Sequence, residues 1–381
     1  MPWYDRALAA VTACCPTLLP TQTANLALLV AAILTRRTLV LADLARAYPT
    51  PAVRRVAAPK HHLLHRLKRL WRFVDNARID PIALQAAAIP YALSGLGLGR
   101  RIGLAIDWTL FDVLTPAGRR VHFQVLRIAV PWDGRAVPLM QVAADRSRIP
   151  DSQNAIEERA LWAVLDALPA GSRPVVLADR GFARGRLFAA LRQRGVDFVI
   201  RVRRGTWLTE PDGRSWKLGS EGTRPGQVRW HPGVRFALTN GRPSDVVVNA
   251  ALCWRVPGRR ADRRKPPEEP WYLATTLGCP ARALCWYWRR GWIEQSFRDA
   301  KQRFGLERVR VGTPDRLTRL LLGLTLALAW LLLAAPAAAF GAAWAAHIGQ
   351  WGRLSWLTRI LAWVDAHPHP SWPATPSTPT P

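Results

Sequence analysis

The sequence predicts an α/β protein: a mixed sheet covered by helices, with a β-rich insertion and helical segments before and after it. Three observations predict it. Residues 3–93 carry their apolar residues at helical period. Residues 101–202 switch to period-two and continuous apolar runs that alternate with two helix-length segments. Residues 205–270 hold short strand-like pieces, many Gly and Pro, and Trp207, Trp216, Trp230 and Trp254.

Each element follows in order. Trp3 to about Leu93 is helical, with breaks near Pro16, Pro49-Thr50-Pro51 and Pro59, and defines a helical N-terminal domain over residues 1–95. Within it, the run His61 to Phe73 places Leu63, Leu67, Leu70 and Phe73 on one face, with His65, Lys68, Arg69 and Arg72 elsewhere. The basic side is either a solvated face or a phosphate-contacting one. Arg101 to Asp107 reads as a buried strand. Val121 to Val130 and Ala136 to Val142 flank the turn cluster Pro131-Trp132-Asp133-Gly134-Arg135 and form a hairpin. A helix from Ser152 to Leu168, a strand Pro174 to Ala178, a helix Gly185 to Arg194 and a strand Phe198 to Val202 follow. The order β-β-β-α-β-α-β is the ribonuclease H-like arrangement, a mixed sheet that spans residues 96–310 together with its insertion at about 205–270. A strand Trp271 to Leu277 leaves the insertion, and a helix from about Ala281 to Phe304 leads into C-terminal helices over 311–366. Leu320 to Ala346 carries no charge; Pro336, Gly323, Gly341 and many alanines interrupt it, so it reads as a buried helical hairpin rather than a membrane span. Residues 367–381, with six prolines, read as a disordered tail.

Composition narrows the partner. Of the 381 residues, 54 are Lys or Arg against 26 Asp or Glu, a formal net charge of +28, and 49% are hydrophobic. That hydrophobic share excludes a disordered chain, and the charge favours a polyanion over a neutral small-molecule substrate. The cations are 49 Arg and 5 Lys, a bias that GC-rich coding also produces, so charge by itself does not specify the partner. Five cysteines without a CxxC pair support neither a disulfide framework nor a zinc site. Met1-Pro2-Trp3-Tyr4-Asp5-Arg6 lacks the pattern of a secretory leader, which points to the cytoplasm.

Carboxylates are scarce, and two of them end apolar strands: Asp107 the first, Asp179 the fourth. In this order those strands are parallel neighbours, because the helix between Ser152 and Leu168 is a crossover. Two facing carboxylates repel each other unless a divalent cation lies between them, although each could instead cap the loop that follows. A third acid is Glu294. At roughly 100° per residue, Tyr287, Arg290, Glu294 and Lys301 fall within a sector of about 60° on a continuous helix. That stripe is either an intrahelical salt-bridge set or a functional face. Three carboxylates could hold two Mg²⁺ ions, with Mn²⁺ as a substitute, and drive phosphoryl transfer on DNA, with Tyr287, Arg290 and Lys301, and Arg298 on the same helix, as phosphate contacts.

These residues resemble those of the bacterial insertion-sequence-4 transposases, which are DDE enzymes. The family signature, Tyr, two residues, Arg, three residues, Glu, six residues, Lys, is matched at every interval by Tyr287, Arg290, Glu294 and Lys301, joined by Asp107 in Asp107-Trp108-Thr109 and Asp179 in Ala178-Asp179-Arg180-Gly181. The segment Arg72-Phe73-Val74-Asp75-Asn76 matches an Arg-Phe-x-x-Asn pattern of the family's N-terminal helical region. The resemblance covers roughly residues 60–310, and the basic helix face makes residues 1–95, with Arg69 and Arg72, the expected DNA-binding domain. The resemblance implies Mg²⁺-dependent cut-and-paste transposition through hairpin ends, on double-stranded DNA bearing terminal inverted repeats and on target DNA. It also implies a homodimer on paired ends in the bacterial nucleoid, and a base-stacking role for Trp271 at the start of its strand. Three rival readings remain: a ribonuclease H-like nuclease with Glu157 or Glu158 as third acid, a non-enzymatic membrane-anchored or DNA-binding protein in which residues 320–346 span a bilayer, and a degenerate, inactive transposase.

Overall fold

A computed structural model of the chain describes residues 3–47, 60–94, 96–149, 152–237, 243–254, 270–334, 357 and 360–361. These fold as two compact units: those within 1–98, 108–170 and 292–381 in the first, those within 99–107 and 171–291 in the second.

The first unit is mostly helical. It contains α1 (Tyr4–Cys14), α2 (Pro20–Arg36), α3 (Leu41–Ala45), α4 (Lys60–Asp75), α5 (Pro81–Ala87) and α6 (Ile89–Ser94). Local chemistry sets several ends: Pro20 opens α2, and Asp80 caps α5 by accepting from the Ile82 and Ala83 amides. The strand β1 (Arg101–Leu114) crosses the division, and its second half, from Trp108, lies in this unit with β2 (Arg120–Trp132) and β3 (Arg135–Asp145). The predicted hairpin is present. β2 and β3 pair antiparallel down to Trp132 and Arg135, and Asp133 and Gly134 turn the chain with φ of 42° and 74°, which is why an Asp-Gly pair stands there. The crossover helix α7 (Gln153–Asp166) is capped by Ser152, whose hydroxyl accepts from Ala155 N at 3.2 Å.

The second unit holds the first half of β1, then β4 (Arg173–Ala178), α8 (Gly185–Gln193), β5 (Asp197–Arg201), β6 (Trp207–Thr209), β7 (Ser215–Lys217), β8 (Val228–Ala237), β9 (Pro243–Cys253), β10 (Trp271–Thr275) and α9 (Pro280–Arg290). Its strands lie in the order β1, β4, β5, β10, β9, β8, β6, β7. β1 with β4 and β4 with β5 are parallel, as the βαβ reading requires, and the rest are antiparallel. Val175 to Ala178 and Phe198 to Ile200 are fully buried, which explains why these strands read as unbroken apolar runs. The β-rich insertion is seen as β6 to β9; its stretches 238–242 and 255–269 lie outside the described residues.

The first unit closes with α10 (Trp292–Gln302) and α11 (Pro314–Ala334). Leu320, Leu321, Leu322, Leu324 and Leu331 of α11 are buried, and a Cβ on Gly323 would stand 2.7 Å from Leu29, so the glycine permits close approach to α2. Among the described residues no helix is long and apolar enough to cross a membrane. The second arm of the expected hairpin and the tail 367–381 fall outside the described residues.

Two expectations need correction. β1 does not end at Asp107 but runs on to Leu114, because Thr109, Phe111 and Val113 alternate inward and continue the pleat. The helix expected from about Ala281 to Phe304 is two helices, α9 and α10, parted at Gly291. The mixed α/β architecture with a β-rich insertion is that of a ribonuclease H-like fold.

Candidate active site

The site is built on the parallel pair β1 and β4. Their register matches Ile106 to Ala178, so Asp107 and Asp179 are the next residues on adjacent strands. Apolar burial up to Ile106 and Ala178 fixes both strands in depth, and the two carboxylates emerge together where burial relaxes. Both converge on one cation. Arg290, the last residue of α9, brings its Nη2 to 2.8 Å from Asp107 Oδ2 and 3.9 Å from Asp179 Oδ2. The three side chains are withdrawn from solvent to different degrees, 19% exposed for Asp107, 34% for Asp179 and 11% for Arg290. This order leaves Asp179 the most accessible of them. Asp179 also does what the simpler reading proposed: its Oδ1 accepts from Arg180 N at 2.7 Å and caps the 3₁₀ turn Arg180–Phe182. One oxygen caps while the other faces Arg290.

Tyr287 lies one turn before Arg290 and is buried. Burial raises its phenol pKa, the Asp179 and Asp107 charges raise it further, and Arg290 and Arg201 partly offset this. The hydroxyl stays protonated as a hydrogen-bond donor. Trp271, the first residue of β10, meets the Tyr287 ring edge-on at a centroid distance of 5.0 Å, and Trp288 lies 6.4 Å from it. Trp288 is half-exposed, so the aromatic group runs from the core to the surface. Trp271 is thus partly covered by Tyr287 but not sealed into the core.

The rest of the expected site residues belong to the first unit. On α10, Glu294 and Arg298 are exposed one turn apart, and Arg298 bonds Gln295 at 3.1 Å. Lys301, two turns from Glu294, donates to the Leu110 carbonyl at 2.9 Å and pairs with Glu307 at 2.9 Å. On α4, Arg69 bonds Asn25 and Arg72 is exposed. Of the two alternative third acids, Glu158 is half-buried and Glu157 is buried, its Oε1 accepting from the Trp108 indole at 2.7 Å and from Gln153 at 3.1 Å. Its commitment to that pair argues against a ligand role.

Among the described residues no group of three or more His, Cys, Asp or Glu side chains is arranged to hold a metal. The pair Asp107 and Asp179 nevertheless has the chemistry for a divalent ion: two hard oxygen donors on rigid strands, turned toward one place where positive charge is favoured, taken here by a guanidinium nitrogen.

Sequence reasoning missed one residue next to this machinery. Arg127 is a lone cation in the apolar run Val125-Leu126-Arg127-Ile128-Ala129-Val130, and it is fully buried under α10. A charge at the centre of an otherwise apolar strand was the signal that could have found it.

A family profile described as the transposase DDE domain matches residues 98–330. No curated protein matches the chain.

Proposed function

Because the chain belongs to the DDE transposase family, in which the matched domain spans most of its length, we propose that it cleaves DNA at the ends of its own insertion sequence and joins them to target DNA, with Asp107, Asp179 and Glu294 as the metal-binding carboxylates. The observation that carries this reading is the convergence of Asp107 and Asp179, from adjacent parallel strands, on a single Arg290 nitrogen. Glu294 joins them on the Tyr-Arg-Glu-Lys spacing, which also supports the insertion-sequence-4 group and, with it, the hairpin route and a dimer on paired ends.

Two Mg²⁺ ions bound there would activate a water or a DNA 3′-hydroxyl and neutralise the leaving oxygen. The residues of this chain do the rest. Asp107 and Asp179 supply fixed negative charge on strands that cannot shift without unpairing. Arg290 holds the two acids in place and, once they are neutralised by cations, becomes available to a scissile phosphate as a charge-assisted donor. Tyr287, kept protonated, offers a donor beside it. Trp271 presents a ring for an unstacked base, with Trp288 next to it at the surface. Lys301, Arg298, Arg69 and Arg72 contact flanking phosphates, a function that makes binding strongly salt-dependent. The protein acts in the bacterial nucleoid.

The test incubates purified protein with DNA carrying the inverted repeats that flank its gene, with Mg²⁺, beside Asp107→Asn, Asp179→Asn and Glu294→Gln. Each variant is expected to bind that DNA with parental affinity and to cleave at least ~10³-fold more slowly, the equivalent of about 4 kcal/mol of lost transition-state stabilisation. Parental cleavage by all three would refute the assignment.

A further inference from the structure

We propose that Arg127 is the positioning residue of Glu294: it fixes the first turn of α10 against β2 and so sets where the Glu294 carboxylate stands. Arg127 is 0% exposed in the middle of β2. Its Nε and Nη2 donate to Gln141 Oε1 at 3.0 and 2.6 Å, and its Nη1 donates to Ser296 Oγ at 2.8 Å. Ser296 in turn donates to the Ile293 carbonyl at 2.8 Å. The guanidinium also lies 4.3 Å from the centre of the Phe297 ring. Ile293, Ser296 and Phe297 surround Glu294 in sequence and face inward, so Glu294 is left as the outward residue of a turn pinned on its other side.

The anchor is itself held. Gln141 Nε2 donates to Thr325 of α11 at 2.9 Å, and the Gln141 backbone exchanges hydrogen bonds with the Gln85 amide of α5 at 2.9 and 3.1 Å. The far end of α10 is tied to β3 by Arg135 and Asp299 at 2.9 Å. Polar groups in this network are satisfied mutually, which makes it specify one geometry rather than several.

Stability does not explain the choice of residue. The hydrogen-bond partners of Arg127 are neutral, and burial pushes its pKa down to about 9, with only partial compensation from the Asp299 charge. An apolar side chain could fill the same space, but only a planar donor fork holds Ser296 and Gln141 at fixed angles. The residue lies behind a carboxylate, as the supports of metal ligands do.

The role rests on Glu294 being the third carboxylate, and the experiment separates the two claims. In the full-length protein, Ser296→Ala removes the hydroxyl that accepts from Arg127 and donates to the Ile293 carbonyl, and Arg127→Lys keeps the charge without the fork. Three quantities are measured: amide exchange across residues 292–297 without metal, the Mg²⁺ concentration giving half-maximal cleavage, and DNA affinity. Expected are faster exchange, a half-maximal Mg²⁺ concentration raised about tenfold in Ser296→Ala and by at least as much in Arg127→Lys, and unchanged DNA affinity. Parental exchange and metal dependence in both variants, beside an inactive Glu294→Gln, would overturn the positioning role alone. A Glu294→Gln protein that cleaves like the parent would overturn its premise, and the positioning role with it.

Discussion

Arg127 and Arg290 are both withdrawn from solvent, one in each compact unit, and they keep opposite company. Arg127 donates to the neutral acceptors of Gln141 and Ser296 and lies against a phenylalanine face, with the Asp299 charge only partly offsetting its burial. Arg290 faces two carboxylates, at 2.8 and 3.9 Å. The first is a geometric anchor whose charge is a liability; the second is a counter-charge whose removal leaves two like charges facing each other. The same side chain therefore does two jobs, and the partners, not burial, decide which.

The comparison breaks first at Arg290. Arg290→Gln should lower the stability of metal-free protein by about 2 kcal/mol in urea unfolding, less than a fully buried pair would lose because the acids are partly exposed. Saturating Mg²⁺ should restore most of that loss. A destabilisation indifferent to Mg²⁺ would mean that Arg290 packs rather than neutralises. Arg127→Met should behave differently: hydrogen bonds worth about 1 kcal/mol each are lost, but a buried charge is relieved, so unfolding should change by no more than about 1 kcal/mol, and Mg²⁺ should not alter the difference. A loss several times larger would make Arg127 a stability element and remove the contrast.

The smallest effect is at the surface ion pair of Asp75 with Arg316, 2.7 Å apart. The Arg316 hydrogen bond holds the Asp75 carboxyl below its ordinary pKa. The pair's contribution is therefore present above the ordinary carboxylate range and is lost as pH falls through the depressed folded value. Melting temperatures of the parent and of Asp75→Asn, followed from neutral to acid pH, should converge slightly as pH drops. Curves separated by a constant gap would place the effect elsewhere.

Much of the second unit was legible in the sequence because its physics is local. Continuous apolar runs ending in Asp107 and Asp179, with a crossover helix between, dictate parallel strands with their acids side by side, and the register of Ile106 on Ala178 agrees. What the sequence obscured depends on tertiary contact. β1 runs past Asp107 because Thr109, Phe111 and Val113 face inward, whereas Leu110 and Leu114 on the outer side mask the alternation. Gly291 looks harmless within a helical pattern, yet α9 ends and α10 begins there, while Tyr287 is buried and Arg290 faces the acids. Arg127 was hidden because no local rule assigns a partner to a cation in an apolar strand; Ser296 lies 169 residues away.

The central claim is that Asp107, Asp179 and Glu294 share divalent ions. Anomalous scattering from Mn²⁺ in crystals of the protein tests it without reference to activity. The account predicts manganese bound directly to Asp107 and Asp179, with Glu294 coordinating in the same cluster and Arg290 displaced from between the two aspartates. Manganese bound elsewhere, with Arg290 still between Asp107 and Asp179, would contradict it.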